Sequence, residues 1–391
     1  MKLRPLLYVI CCMFVGLLTP CAQKTDRISG MPAERDGCNF GCDVQSASAA
    51  TPYYPFEEAE PKMLETTQRR WHKEYENSRN YGESWFFLVY TKQGGVLFAN
   101  ISITNLGLRT FDSAIDIRFY APEGKVYRCF KDYRRQDLFA TAEGLDLTIG
   151  GSHLKGDENA YYLSIDEAQF QMDLTLVKTL PSFQFGNGRV DFYKDRSVEW
   201  NLNLDAPRAD ASGTLTAEGK MFSLVGNGYH DHTWATIMLP TFMEKWYSLR
   251  FFQERFSIVI FQIHLTRKFG GGMLCAGLIG DRANLTPIRS FLYKPLKWRR
   301  EQTSGLDMPT ELQLCIKTAD YSITGSIKET QFLDSIDVLA RVPWPIRTIV
   351  KATYTRPYLV RYLARCDLDV TRQDGVRQQV SATGVVGLNS Y

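Results

Sequence analysis

The run Gly226-Asn227-Gly228-Tyr229-His230-Asp231-His232-Thr233-Trp234 packs two imidazoles, a carboxylate and two aromatic rings into nine residues. Lys220 to Val225 reads as a strand entering it, and a strand sends side chains two apart to the same face. His230, His232 and Trp234 are therefore expected on one face and Asp231 on the other. Gly226 and Gly228 allow a bulge or a close backbone approach just ahead of that face. A strand here needs β-partners, and the chain on either side supplies them.

Upstream, Trp85-Phe86-Phe87-Leu88-Val89-Tyr90 is an apolar run, Lys92-Gln93-Gly94-Gly95 a turn, and Val96 to Ile103 its hairpin partner. Ala114 to Phe119 and Phe170 to Leu176 alternate apolar with polar at period two, as strands with one buried and one wet face do. Turn residues punctuate them at Pro122-Glu123-Gly124, Lys155-Gly156-Asp157 and Gly186-Asn187-Gly188. Around Asp205-Ala206-Pro207 the pattern pauses, and a domain boundary is expected there because proline is disfavoured inside a central strand. A second series follows, with Trp246 to Phe252, Phe256 to His264, Met273 to Ile279, Leu312 to Lys317 and Tyr321 to Ile327. Lys268 to Gly272 sits between two strands and suits a hairpin turn, since a phosphate cradle needs a following helix. No cofactor is expected. Pro343-Trp344-Pro345 is expected to open one short helix.

The motif, with Ala206-Pro207-Arg208-Ala209, Ser212 to Leu215, Lys245-Trp246-Tyr247-Ser248, Arg356-Pro357-Tyr358 and Arg361-Tyr362, resembles the lipocalin-like superfamily of carotenoid 1,2-hydratases (hydroxyneurosporene synthases), survival-factor proteins and fungal Diels-Alderases. Glu143-Gly144-Leu145 and Pro181 to Gly186 extend the resemblance, which covers roughly residues 80 to 385. It implies an all-β chain of two lipocalin-like antiparallel β-barrel or sandwich domains packed side by side. The expected division is a leader over 1–21, a linker over 22–55, an N-terminal domain over 56–206 and a C-terminal domain over 207–391.

Length and charge narrow the function. The chain has 391 residues, enough for about two domains. Its 46 basic and 43 acidic residues balance to +3, without the clustered basic face of a nucleic-acid binder. Met1-Lys2-Leu3-Arg4 followed by an apolar run to Leu18 is expected to be a secretory signal. Leu18-Thr19-Pro20-Cys21 is close to a lipobox, with Pro20 in place of the usual small residue, so export to the cell envelope is expected, with Cys21 as a lipid anchor or cleavage nearby. Residues 22 to 55 are small and polar, as a tether would be. Glu57 to Asn80 is expected to hold one short helix and to cover surface. Cys38 and Cys42 could close a small disulfide loop, while Cys129, Cys275, Cys315 and Cys366 lie in apolar strand patterns and are expected as buried thiols.

Three readings of the motif compete. A His-x-His pair completed by His264 from a neighbouring strand would suit zinc, and the spacing permits it, but a short motif does not establish that His264 converges and the superfamily it resembles is not defined by a metal, so no metal is expected. Acid–base catalysis on an isoprenoid or polyketide-like substrate would use His232, Trp234 and Asp231; the acid that the hydratases carry on a later strand has no counterpart in Phe256 to His264. The third reading is a polar cluster that fixes the fold or orients a passive ligand. Binding of a hydrophobic ligand, a lipid or isoprenoid, is expected to use Tyr229, His230, His232, Trp234, Trp246 and Phe261, in a survival-factor-like role tied by resemblance to oxidative stress.

Overall fold

Period-two alternation gives each strand one apolar face, and such strands gain most by curling so that those faces meet. The computed structural model describes residues 69–391, apart from 107–108, 192–198, 255, 270, 289–290, 341, 343 and 354. It is nearly all-β, with two curled antiparallel sheets, as the sequence leads one to expect. The expected leader, the tether, Cys21 and the Cys38–Cys42 pair lie outside the described residues.

Among the described residues, the first sheet has thirteen strands. Its path runs Val126–Tyr133, Arg109–Tyr120, Val96–Leu106, Gly82–Thr91, Gly226–Ala235, Glu199–Ala217, Phe170–Lys178, Ala160–Glu167, Ser152–Gly156, Leu145–Ile149 and Leu138–Ala140. Phe183–Asp191 and Lys220–Ser223 also pair with Glu199–Ala217. The expected hairpin forms with Phe86 opposite Asn100 and Phe87 opposite Ala99. The second sheet has nine strands, in the order Asn284–Ile288, Met273–Asp281, Phe256–Leu265, Met243–Gln253, Arg377–Ser390, Tyr358–Arg372, Tyr321–Asp337, Asp307–Lys317 and Phe291–Arg300. The helix expected after Pro343 spans Trp344–Thr353.

The changeover between sheets does not fall at Ala206. Glu199–Ala217 is a single strand of 19 residues, and the motif strand Gly226–Ala235 lies in the first sheet beside it. Proline is tolerated there because pairing with the motif strand shifts register between Asn203 and Ala206 and again between Ala206 and Ala209, so Pro207 lies where the ladder is already interrupted. Chain passes to the second sheet between Ala235 and Met243, through a short helix at Leu239–Phe242.

Three apolar clusters result. One fills the first sheet, including Trp85, Phe87, Leu176 and Trp234. A second fills the second sheet, including Phe251, Ile260 and Tyr362. The third joins the two sheets, with Tyr229, Phe98 and Trp200 from one and Phe261, Phe252 and Val385 from the other. Gly226 shows how closely the first sheet is packed, since a Cβ there would lie 1.9 Å from the Tyr90 carbonyl oxygen.

A buried ion network also crosses the sheets. Arg361 donates to Asp334 at 2.6 and 3.0 Å, and Arg118 of the first sheet reaches the same carboxylate at 3.2 Å, with Tyr120 hydrogen-bonded to it as well. The Arg361 guanidinium lies 3.7 Å from the centroid of the Phe98 ring. Removing one partner of a buried pair leaves the other charge uncompensated. Asp334→Ala should therefore lower unfolding free energy by about 3–5 kcal/mol in chemical denaturation, and a loss below about 1 kcal/mol, the range of an exposed pair, would show that this network does not hold the sheets together.

Candidate functional site

Alternation along Gly226–Ala235 divides the motif between two compartments. His230, His232 and Trp234 face the interior of the first sheet, where His230 stacks on Phe87 at 4.1 Å and His232 on Trp85 at 4.8 Å. Tyr229 and Asp231 face the second sheet. His230 and His232 are both fully buried, so every polar atom they carry must be matched or paid for.

His232 is matched through Glu83. This carboxylate, on the first hairpin strand, accepts from His232 Nε2 at 2.7 Å and from His72 Nδ1 at 2.9 Å, takes the His72 backbone N–H at 3.1 Å, and is hydrogen-bonded by the Tyr81 hydroxyl. Burial pushes Glu83 up, but the electrostatic pull of His72 and the hydrogen bonds from both imidazoles outweigh it and hold the acid at about 2. His72 in turn stacks on Trp234 at 3.9 Å. The segment expected as a surface cover thus buries Arg69, Trp71 and His72 in the mouth of the first sheet. His72, Glu83 and His232 each bring a ligand atom within 4.8 Å of the others, a donor set of the right type for a divalent ion. The 2.7 and 2.9 Å spacings are those of hydrogen bonds, closer than two ligands about 2.0–2.1 Å from a tetrahedral ion would stand.

His230 is matched on one side only. Its Nδ1–H donates to the Phe86 carbonyl at 3.0 Å, which leaves Nε2 as the acceptor of the neutral ring. That nitrogen lies 3.7 Å from Asp205 Oδ2, too far for a hydrogen bond. Among the described residues, neither Asp205 oxygen, nor the hydroxyl of Tyr161, nor Nε of Arg69 has a partner at hydrogen-bonding geometry. Burial drives the His230 ring down to about 3 and raises the Asp205 carboxyl to about 6, the latter moderated by His232, Arg69 and Lys178. Lys178 itself is pushed down to about 8, by burial first and then by Arg69.

On the other face, Asp231 accepts from Tyr229 at 2.6 Å and from Arg250 of the second sheet at 3.0 Å. Arg250 lies over the rings of Tyr229, Phe86 and Phe261 at 4.7 to 5.3 Å. Burial raises the Asp231 carboxyl, with Arg250 pulling the other way. Trp246 belongs to this same junction and meets Trp200 at 5.8 Å. The candidate residues therefore do not share one cavity: His230, His232 and Trp234 are together inside the first sheet, while Tyr229, Asp231, Trp246 and Phe261 are together between the sheets. His264 joins neither, lying on the second sheet 3.1 Å from the Gln262 amide.

Residues 43–388 match the Svf1 family. The chain belongs to that family. It is 23% identical over 201 residues to the ceramide-binding protein svf1 of Aspergillus fumigatus, a match covering 48% of this chain and half of that protein. It is 22% identical over 322 residues to the ceramide-binding protein SVF1 of Debaryomyces hansenii, covering 77% of this chain and 82% of that one. Among solved structures it is similar to a Nitrosomonas europaea protein named for AttH, at TM-score 0.59 and 14% identity, covering 84% of this chain and 98% of the other. CghA bound to Sch210972 (TM-score 0.58, 10% identity, 80% and 89% covered) and the kievitone hydratase of Nectria haematococca (TM-score 0.53, 13% identity, 86% and 98% covered) share the fold. The Svf1 match and these neighbours agree with the superfamily that the motif resembles.

The buried titrating groups give this Svf1-family chain a defined acid response. His230 stays neutral to about 3 when folded but takes a proton near 6.5 when unfolded, so stability is lost as pH falls from 6.5 towards 3. Glu83 adds loss in the same direction between 4.5 and about 2, whereas Asp205, raised from 3.8 to about 6, opposes it between those values. His230→Gln should flatten the stability curve between pH 6.5 and 3 in urea titrations at a series of pH values; a slope equal to that of the wild type would mean that His230 is not held neutral.

Proposed function

We propose that this chain binds a ceramide-type lipid, with the lipid's polar head against the His230–His232–Trp234 face inside the first sheet. One observation carries the reading: a row of hydrogen-bonding side chains, buried and walled by Trp85, Phe87 and Trp234, lines the interior of a curled apolar sheet. Such an interior suits a ligand that is apolar along its length and polar at one end. The names of the two fungal relatives support it. The charged start and short apolar run support action at the cell envelope, with Cys21 as an anchor; fractionation and the mass of the mature N-terminus test that, and an intact Met1 in a soluble pool would rule it out. A role in oxidative stress rests on resemblance to survival-factor proteins.

Catalysis is the second reading, and what favours it is the Asp205 carboxyl, able to hold a proton near neutrality beside a neutral imidazole. Binding and turnover separate at His232. His232→Gln keeps a hydrogen-bonding group and should retain most of the lipid that organic extraction of the purified protein recovers, while abolishing any turnover seen by mass spectrometry. His232→Phe leaves Glu83 short of a donor, at a cost of about 1–3 kcal/mol, and should lower both lipid content and thermal stability. Unchanged lipid content and stability in both variants would remove this face from the site.

A further inference from the structure

Buried polar atoms in folded proteins nearly always have partners, and those that lack them call for a ligand or a water. Asp205, Tyr161 and His230 converge on one spot inside the first sheet, and all three are fully buried. The strand irregularity puts them there. Asn203 pairs opposite His232 and Ala206 opposite His230, so the register shift between them swings Asp205 towards the His230 ring. Tyr161 arrives from Ala160–Glu167 and meets the same ring edge-on at 4.4 Å. Nearby, the glutamate cluster spends its hydrogen bonds on itself; this one does not. Both Asp205 oxygens, the Tyr161 hydroxyl and His230 Nε2 are buried without a partner at good hydrogen-bonding geometry, Tyr161 standing close enough to Asp205 and Arg69 to interact with both, and Arg69 Nε is unmatched as well.

From this geometry we infer a recognition site for a neutral lipid alcohol, in which one hydroxyl bridges the 3.7 Å gap between His230 Nε2 and Asp205 Oδ2. An oxygen can stand about 2.8 Å from both atoms at that separation. It would donate its one proton to the carboxylate or to the imidazole nitrogen and accept one from the Tyr161 hydroxyl, so a group that both donates and accepts pairs with Tyr161 and with one of the two acceptors while standing against the other. A phosphate or carboxylate head is a poorer fit, because it would set a second negative charge against the buried Asp205, on which the nearby Arg69 and Lys178 already act. The site thus sorts lipids by head group: alcohols are taken, their phosphorylated or etherified forms rejected. Arg69 and Trp71 lie over this interior, and Trp85 Nε1 donates to the Arg69 carbonyl at 3.4 Å, so an entering lipid displaces that segment.

The inference rests on the lipid-binding reading, and the test separates the two. Wild-type protein and Asp205→Asn and Tyr161→Phe variants are titrated with N-palmitoyl sphingosine, its 1-O-methyl ether and its 1-phosphate in phosphatidylcholine vesicles, competing against a fluorescent ceramide. The wild type should prefer the alcohol over both derivatives by at least about tenfold, and each variant should lose about tenfold for the alcohol. Because Asp205 is an unpaired carboxylate, Asp205→Asn should unfold at the same temperature as the lipid-free wild type or higher, which a purely structural residue would not allow. Equal binding of all three lipids by the wild type, or alcohol affinity unchanged in both variants, would overturn the alcohol site and leave lipid binding standing; the gap would then hold a buried water only. Failure of the wild type to bind any of the three would overturn both.

Discussion

Strand Gly226–Ala235 is buried on both faces while carrying two histidines and an aspartate, and the rest of the molecule answers that constraint. A polar strand can sit at the centre of a two-sheet protein only if each compartment brings its own partners. The interior supplies Glu83, whose carboxylate gathers His232, His72 and Tyr81. The junction supplies Arg250, whose guanidinium closes on Asp231 while its flat faces rest against aromatic rings. The two sheets are thereby tied through consecutive side chains of one strand.

The electrostatics divide this centre into a finished part and an unfinished part. Glu83 is held far below its ordinary value because the hydrogen bonds and charge around it exceed the cost of burial. Asp205 goes the other way, since burial outweighs the pull of His232, Arg69 and Lys178 and the interaction with Tyr161. Two carboxylates in the same interior thus differ by their partners alone. The first behaves as a structural clasp, and the second keeps unused hydrogen-bonding capacity.

Much of the fold could be read in the sequence because burial on one face leaves a period-two signature, as the hairpin of Trp85–Tyr90 with Val96–Ile103 illustrates. The same rule gave the opposed faces of His230 and Asp231. The sheet changeover was hidden: Pro207 looked like an end, yet it sits in an irregular stretch of a strand that serves several partners along its 19 residues. His72 was hidden for a different reason, since its partners Glu83 and His232 lie 11 and 160 positions away and local pattern carries no information on such pairings. Arg250 could have been found. A lone cation in the apolar run Trp246–Phe252 needs a buried anion, and Asp231 is the carboxylate of the motif strand.

Stability and specificity pull against each other at the Asp205 end of this interior. A chain selected for stability alone would replace Asp205 with an apolar residue of like size, since an ion without a partner gains nothing from burial. Its neighbours would then have no reason to remain polar: His230 could be a phenylalanine stacked on Phe87, and Tyr161 a phenylalanine against it. Instead the three polar groups are kept together, each with its apolar surface well packed and its polar atom unmatched. Good packing rules out a loosely built corner, and the register shift that turns Asp205 towards His230 is itself a departure from regular pairing. What remains is a site whose hydrogen bonds are completed by something other than the protein, and it lies two residues from the clasp that holds the covering segment in place.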